Sequence, residues 1–486
     1  MIRHPSLGTA TTTATTTIFA VLAACSSPHA LGPDAPSPAD APSPADAPIA
    51  PDAAAPVTSA QREHCGNGLD DDGDGLVDED CAPSLFAGVY APEVAGDPAL
   101  AALEAAAGDR PLSVLQTYHS TSAAGVARIA PDLAAIFARG QVAHLNVEPA
   151  GYTRAQYAAP TVAPLAGDLA ATGEAIATAL ATAPAGRVLL TFGAEMNGSW
   201  TDWGCLPAAQ YIALYRAAHA AVTAALAAHQ VDARRVRWAY GPNATSSASC
   251  GSAAAYFPGV DAVDLLGMSA YRAGRASVAD AVITPMTALF DALAWPAAWR
   301  RERFVVLQTG SRDVSGDADR SAWASALFAA GAADPRIAGI IWFDAADWAV
   351  PTNGAGWSGL TAGIAAAPRA DHGLDAVFAP RFWDVAYSDP AFQEIDALAA
   401  AGLTSGCAIS PARFCPDEPL TRGDAMALLA RAFPAGAPAL PDGATVRESD
   451  LEAAITALGG AALAGTTDAT ATRARAAVLL ARGAGL

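Results

Sequence analysis

Two sets of side chains in this chain have the types and the spacing for chemistry. The first lies between Cys65 and Cys81, where seven of the 11 residues from Asp70 to Asp80 are acidic. Asp70, Asp72 and Asp74 alternate, so their carboxylates can converge on one hard cation, and Gly75 permits the sharp turn that follows. Leu76 can add its carbonyl and Asp78 a further oxygen, so Ca2+ is the expected, structural ion. The twelfth position, a bidentate glutamate in an EF-hand, is Cys81 here. Affinity is therefore modest unless Asp80 substitutes; the alternative is a solvated acidic tether.

The second set is spread along the chain. Tyr118, His119, Asn146, Glu148, Glu195, Asn197, Asn243, Tyr271, Gln308 and Asp344 each stand at or just past the end of a short apolar run. Carboxylates, amides and aromatics gathered at one end of a fold are the set a sugar-processing cleft uses. Glu148 and Glu195 could form the acid and base of an inverting glycosidase, which tolerates carboxyl groups roughly 6.5–9.5 Å apart with a water between them. The favoured role of Glu148 is to bind a substrate hydroxyl, because a relocated base would have to rebuild the water geometry. Other chemistries are excluded. The chain has no lysine, so there is no Walker-type phosphate loop, lysine Schiff base or lysine general base. Its eight histidines are scattered without metal-ligand spacing. Ser269 lacks the second glycine of a nucleophile elbow, and no dinucleotide fingerprint is present. No cofactor is expected for catalysis.

The elements that must position these residues read as alternating strands and amphipathic helices over 84–370. Strands are expected at Phe86–Ala91, Val114–Tyr118, Val142–Val147, Val188–Phe192, Val236–Tyr240, Leu265–Ala270, Phe304–Leu307 and Ile337–Phe343, with the clearest helices at 166–183 and 207–230. Eight β/α units predict a (β/α)8 TIM barrel in the α/β class, with its chemistry at the C-terminal strand ends.

The rest of the 486 residues frame that barrel. Residues 1–25 carry Arg3 and a short apolar run ending Leu22-Ala23-Ala24-Cys25, too short to span a bilayer and of signal-peptide design. Residues 26–62 are rich in Pro, Ala and Asp and cannot bury a core, which predicts a disordered stalk. Residues 63–83 hold the acidic loop. With Cys25 set aside, six cysteines fall into three neighbourhoods, giving Cys65–Cys81, Cys205–Cys250 and Cys407–Cys415 as expected disulfides in an oxidising compartment. Residues 378–486 contain a repeat at an offset of 51: Thr421-Arg422 and Leu428 to Arg431 recur as Thr472-Arg473 and Leu479 to Arg482. It predicts a small all-α repeat domain. A formal charge of -20 and 52% hydrophobic residues exclude nucleic acid as a partner and supply a large core.

Several segments resemble known families. Thr191 to Trp203, Trp238 to Asn243, Tyr256 to Tyr271, and Trp342 with Asp347 and Trp348 resemble, in order, segments of glycoside hydrolase family 26, the β-mannanases and related β-glucanases. The resemblance implies Glu195 as general acid/base, a role that requires a carboxyl able to keep its proton at working pH. It implies Asn197, Trp200, Trp203 and Asn243 as parts of the sugar subsites, Tyr271 orienting the nucleophile and Trp342 flooring the central subsite. The partner is then a β-linked polysaccharide. The chain departs from the family at two places. The nucleophile position is Gln308, and a neutral amide cannot form the covalent intermediate of a retaining mechanism; Ala194 stands where the family has histidine. A non-catalytic, glycan-binding pseudo-enzyme or a structural envelope protein is therefore the alternative. Leu22 to Cys25 resembles the bacterial lipobox, which implies lipidation of Cys25 and a membrane anchor at the outer membrane or cell surface. The acidic loop resembles the thrombospondin type 3 calcium repeat. Residues 382–422 are similar to the S-layer homology domain, which implies an envelope glycan as a second partner.

Overall fold

The computed structural model describes residues 85–90, 98–107, 112–295, 300, 302–312, 317–345, 348, 355–366, 374, 377–378, 380–385, 389–409, 412–436, 439–461 and 465–486. The signal segment, Cys25, the stalk, the calcium loop and the Cys65–Cys81 pair lie outside the described residues.

Eight parallel strands close into a barrel in sequence order: β1 Phe86–Tyr90, β2 Val114–Ser120, β3 Val142–Glu148, β4 Val188–Phe192, β5 Val236–Tyr240, β6 Leu265–Ser269, β7 Phe304–Thr309 and β8 Ile337–Trp342. Helices surround them: α1 Pro98–Ala106, α2 Ala123–Ala138, α3 Arg154–Tyr157, α4 Leu165–Thr182, α5 Ala208–Ala228, α6 Thr284–Ala292, α7 Asp317–Ala333 and α8 Ala355–Ala366. The expected (β/α)8 barrel is thus present. Its strands are buried on both faces, which is why they read as near-continuous apolar runs rather than alternating ones.

The two faces serve different cores. Alternate residues, among them Phe86, Val114, Val142, Leu189, Ala239, Leu265, Val305 and Ile341, fill the lumen together with Val377 and Phe378. Their neighbours, among them Leu145, Leu190, Tyr240, Val306 and Trp342, pack against the helices. At Gly339 a Cβ would lie 2.2 Å from the Phe86 ring, so only glycine lets that ring close the lumen.

Above the apolar floor sits one polar layer. The Gln116 amide donates to Leu307 O and to His144 Nδ1, each at 3.0 Å. That leaves the His144 proton on Nε2, 2.9 Å from Thr191 Oγ1. Burial holds His144 neutral, its pKa pushed down to about 3.

A second core, from Phe382 to Ala481, follows the barrel. It carries α9 Phe392–Ala400, α10 Arg422–Ala432, α11 Glu448–Ala457 and α12 Arg473–Ala484, with a short antiparallel pair of β9 Ala408–Ile409 and β10 Ala412–Arg413. The two repeat copies take equivalent places: Thr421 caps α10 by accepting Asp424 N–H, and Thr472 caps α12 by accepting Arg475 N–H. A third limb joins them. Leu420 N–H donates to Ala471 O, Ala471 N–H to Val446 O, and Val446 N–H to Leu420 O, at 2.8, 2.9 and 3.2 Å. The leads into α10, α11 and α12 therefore form one closed ring. Asp384 accepts Phe414 N–H and Cys415 N–H, each at 2.7 Å, beside the Cys407–Cys415 disulfide. Two buried arginines bind the connecting segment to the barrel floor. Arg237 reaches Phe378 O and Pro380 O, and Arg303 reaches Phe382 O, Trp383 O and Val385 O. Among the described residues no helix is long and apolar enough to cross a membrane.

Candidate active site

The chemistry gathers at the C-terminal strand ends, opposite the floor. β4 ends at Phe192 and the chain turns through Gly193 at φ 55° and Glu195 at φ 58°. The left-handed region is unfavourable for glutamate by roughly 1–3 kcal/mol, so the surroundings must hold the turn. Gly193 N–H donates to Val147 O and Glu195 N–H to Gly241 O. From behind, Trp203 Nε1 donates to Ala194 O at 2.7 Å, and the Tyr211 hydroxyl to Phe192 O and Gly193 O. The Glu195 carboxyl, 7% exposed, is thereby aimed into the mouth. Its Oε2 accepts the Trp200 indole N–H at 2.5 Å. Its Oε1 is buried with no hydrogen-bond partner among the described residues, an acceptor or acid oxygen left for something that enters.

Asn197 braces the same loop. Its oxygen accepts Asn243 N–H, and its NH2 donates to Asn243 O and Ser246 Oγ, all at 2.8–2.9 Å. The Cys205–Cys250 disulfide joins the loop after β4 to the loop after β5. Both disulfides expected within the described residues are therefore formed.

On β3, the lumen face runs Val142, His144, Asn146, Glu148. Asn146 is 1% exposed and neither end of its amide has a hydrogen-bond partner among the described residues. Glu148 stands two residues further out. Burial, then the charge of Glu195 and that of Asp202, push its pKa up to about 7. The two glutamates thus lie in one electrostatic neighbourhood, and both raise the Tyr118 hydroxyl further above its already buried value.

Opposite them, Gln308 is the penultimate residue of β7, 3% exposed. Its Oε1 accepts the Tyr271 hydroxyl at 3.2 Å. Burial holds Tyr271 protonated, well above the usual phenol range, so it remains a donor. An aromatic wall continues from there. Trp348 lies 4.4 Å from Tyr271 between ring centroids, and Arg312 stacks on Trp348. Phe343 packs on Tyr271, Tyr118 and Tyr90 at 6.1, 6.0 and 5.0 Å.

The structure thus brings Glu148, Glu195, Tyr271 and Gln308 to one mouth, with Trp200 at its rim, 37% exposed. Asn243 stands beside it, its Oδ1 accepting Thr245 N–H. Three expected sugar contacts are placed otherwise. Trp342 is 0% exposed and packs 6.2 Å from Trp323 of α7, outside the lumen, because the strand's alternation turns it outward. Trp203 is buried in the helix-side core with its N–H spent on Ala194. Asn197 is fully buried and fully bonded within the chain; it positions the loop. The wall residues Phe343 and Tyr90 were not anticipated. The period-two pattern of β8, counted from the lumen residue Ile341, is the signal that identifies Phe343.

The model of glycosyl hydrolase family 26 matches residues 169–298. That stretch contains Glu195, Trp200, Asn243 and Tyr271 and ends before Gln308. Among curated proteins nothing matches. Solved structures similar to this chain include a Podospora anserina GH26-CBM35 β-(1,4)-mannanase, at 16% identity and TM-score 0.40 over 58% of this chain. The chain spans 61% of the length of that enzyme. The catalytic domain of a Bacillus sp. JAMB-750 GH26 endo-β-1,4-mannanase is similar at 16% identity and TM-score 0.42, over 64% of this chain and 92% of that one. A β-mannanase from a symbiotic protist of the termite Reticulitermes speratus, complexed with gluco-manno-oligosaccharide, is similar at 13% identity and TM-score 0.38, over 62% and 93%.

Proposed function

We propose that the barrel takes a β-linked polysaccharide across its C-terminal mouth and cleaves it as an O-glycosyl hydrolase, with Glu195 giving a proton to the glycosidic oxygen. The observation that carries this reading is Glu195 itself. It is buried, fixed by a clamped left-handed turn, and keeps one oxygen unpartnered at the mouth. The family 26 match over the same segment supports it. Trp200, Tyr271 and Trp348 supply the aromatic faces on which pyranose C–H faces stack.

Gln308 favours a second reading, in which the mouth binds glycan without cleaving it, because an amide cannot replace the carboxylate nucleophile. Around the barrel we place the remaining parts as the sequence suggests: a lipid anchor on Cys25, a stalk, a Ca2+ loop at Asp70, Asp72, Asp74, Leu76 and Asp78, and a C-terminal helical region that docks on envelope glycan. The protein would then stand at the outer membrane or cell surface.

The test is reducing-end release from β-mannan, mixed-linkage β-glucan, xylan and chitin oligomers by the full chain, beside Glu195→Gln, with retention on each insoluble polymer measured in parallel. Release lost in Glu195→Gln is expected. Retention without release selects the binding reading, and neither one overturns both.

A further inference from the structure

Gln308 removes a nucleophile and puts something specific in its place. A double displacement needs a group that attacks the anomeric carbon from the face opposite the leaving oxygen. A carboxylate would do so; an amide does not. An amide instead presents a donor and an acceptor side by side, which a carboxylate cannot. Here that amide is buried, and its oxygen already takes the Tyr271 hydroxyl at 3.2 Å. Tyr271, Trp348 and Phe343 form an apolar aromatic wall beside it. Across the mouth a second buried amide, Asn146, has both ends unpartnered among the described residues. Donor, acceptor and apolar wall together are the complement of a CH3–CO–NH group. Substrate-assisted glycosidases dispense with an enzyme nucleophile because their substrate brings its own.

We infer that the glycan cleaved here carries a 2-acetamido group on the sugar at the mouth, and that this group's carbonyl oxygen is the nucleophile, oriented by Gln308 and Tyr271. The inference rests on the reading of Glu195 as proton donor to a β-linked glycan. The acetamido oxygen forms a bond to C1 as the C1–O glycosidic bond breaks. The Glu195 proton leaves with the departing oxygen. The resulting oxazolinium ring keeps its N–H, which donates to Gln308 Oε1, the amide oxygen having a second lone pair beside the one Tyr271 uses. Water then adds to C1, its proton passes to the Glu195 carboxylate, and the ring opens to restore the acetamide. Configuration is retained, and water is the only co-reactant that enters.

The experiment uses the full chain with matched β-1,4-linked oligomers of N-acetylglucosamine, glucose and mannose, and with the thiazoline analogue of N-acetylglucosamine as inhibitor. Cleavage confined to the acetamido oligomers, competitive inhibition by the thiazoline, and a loss of about a hundredfold in kcat for Gln308→Ala are expected. Gln308→Ala leaves the Tyr271 hydroxyl without its acceptor and should melt somewhat lower, so its second readout is taken well below that melting temperature: weaker thiazoline binding by the folded variant, with Gln308→Glu, which keeps an acceptor for Tyr271, as the control for a merely structural role. Cleavage of the glucose or mannose oligomers with none of the acetamido oligomers overturns the inference and leaves the hydrolase reading intact. Binding without cleavage of any oligomer overturns both and selects the glycan-binding reading.

Discussion

Glu148→Gln is the substitution whose effect can be worked furthest from the structure. Burial and the neighbouring Glu195 and Asp202 charges raise its carboxyl from 4.5 to about 7 in the folded protein. Between those values the folded state holds a proton that the unfolded state has released. The wild type therefore loses stability as pH rises from 4.5 to about 7, and above that the loss is complete. The gap of roughly 2.5 pKa units corresponds to about 3.4 kcal/mol at full ionisation, and between pH 5 and pH 8.5 it amounts to about 2.5 kcal/mol. Glutamine has no proton to release, so its variant escapes that loss. Urea unfolding of both proteins at pH 5 and pH 8.5 gives the comparison. The stability of Glu148→Gln relative to wild type is expected to rise by up to about 2.5 kcal/mol across that interval. A difference that does not change with pH would refute the burial and charge argument, and would take Glu148 out of the electrostatic neighbourhood of Glu195.

Four further outcomes are expected. Asn197→Ala removes three buried hydrogen bonds and leaves Asn243 N–H unsatisfied, so it should lower stability by roughly 2–4 kcal/mol and reduce turnover with it; wild-type melting in that variant would contradict the bracing role. Trp342→Phe should destabilise by roughly 0.5–3 kcal/mol without changing KM, whereas Trp348→Ala should raise KM about tenfold, near 1.4 kcal/mol of lost stacking; the reverse pattern in a kinetic comparison would return Trp342 to the cleft. His144 is neutral in the fold and charges only below about 3, while an unfolded histidine takes its proton near 6.5. Stability should therefore fall as pH drops from about 6.5 towards 3, less steeply in His144→Gln by thermal melting across that range. Calorimetric titration of the full chain with Ca2+ should show one site that Asp72→Ala and Asp74→Ala each remove; the same uptake in those variants would place the ion elsewhere.

Much of the architecture is legible in the sequence because parallel strands buried on both faces leave continuous apolar runs. All eight strands begin at the expected residue and end within two residues of it, and the helices expected at 166–183 and 207–230 fold as α4 and α5, each within two residues. What the runs do not carry is phase. In a strand with apolar residues on both faces, nothing local says that Ile341 faces the lumen and Trp342 the helices. That is decided by closure of the barrel, where Val89 on β1 pairs with Trp342. The same limit applies to Trp200 and Trp203, three residues apart in one loop: one reaches Glu195 and solvent, the other the core. In the C-terminal region the 51-residue offset shows two limbs, yet the ring has three. The third, at Val446, is followed by Arg447-Glu448 where its partners have Thr-Arg, so the offset does not reveal it.

The claim on which the account turns is that a glycosidic oxygen sits against Glu195. It is met most directly by a crystal structure of Glu195→Gln, in which cleavage is blocked, soaked with a β-linked N-acetylglucosamine tetrasaccharide. The sugar chain is expected to lie across the C-terminal mouth. Its scissile oxygen should lie within hydrogen-bond reach of residue 195, and one acetamido group should lie between Gln308 and the wall of Tyr271 and Trp348. A mouth that stays empty while sugar binds only to the C-terminal helices would contradict it.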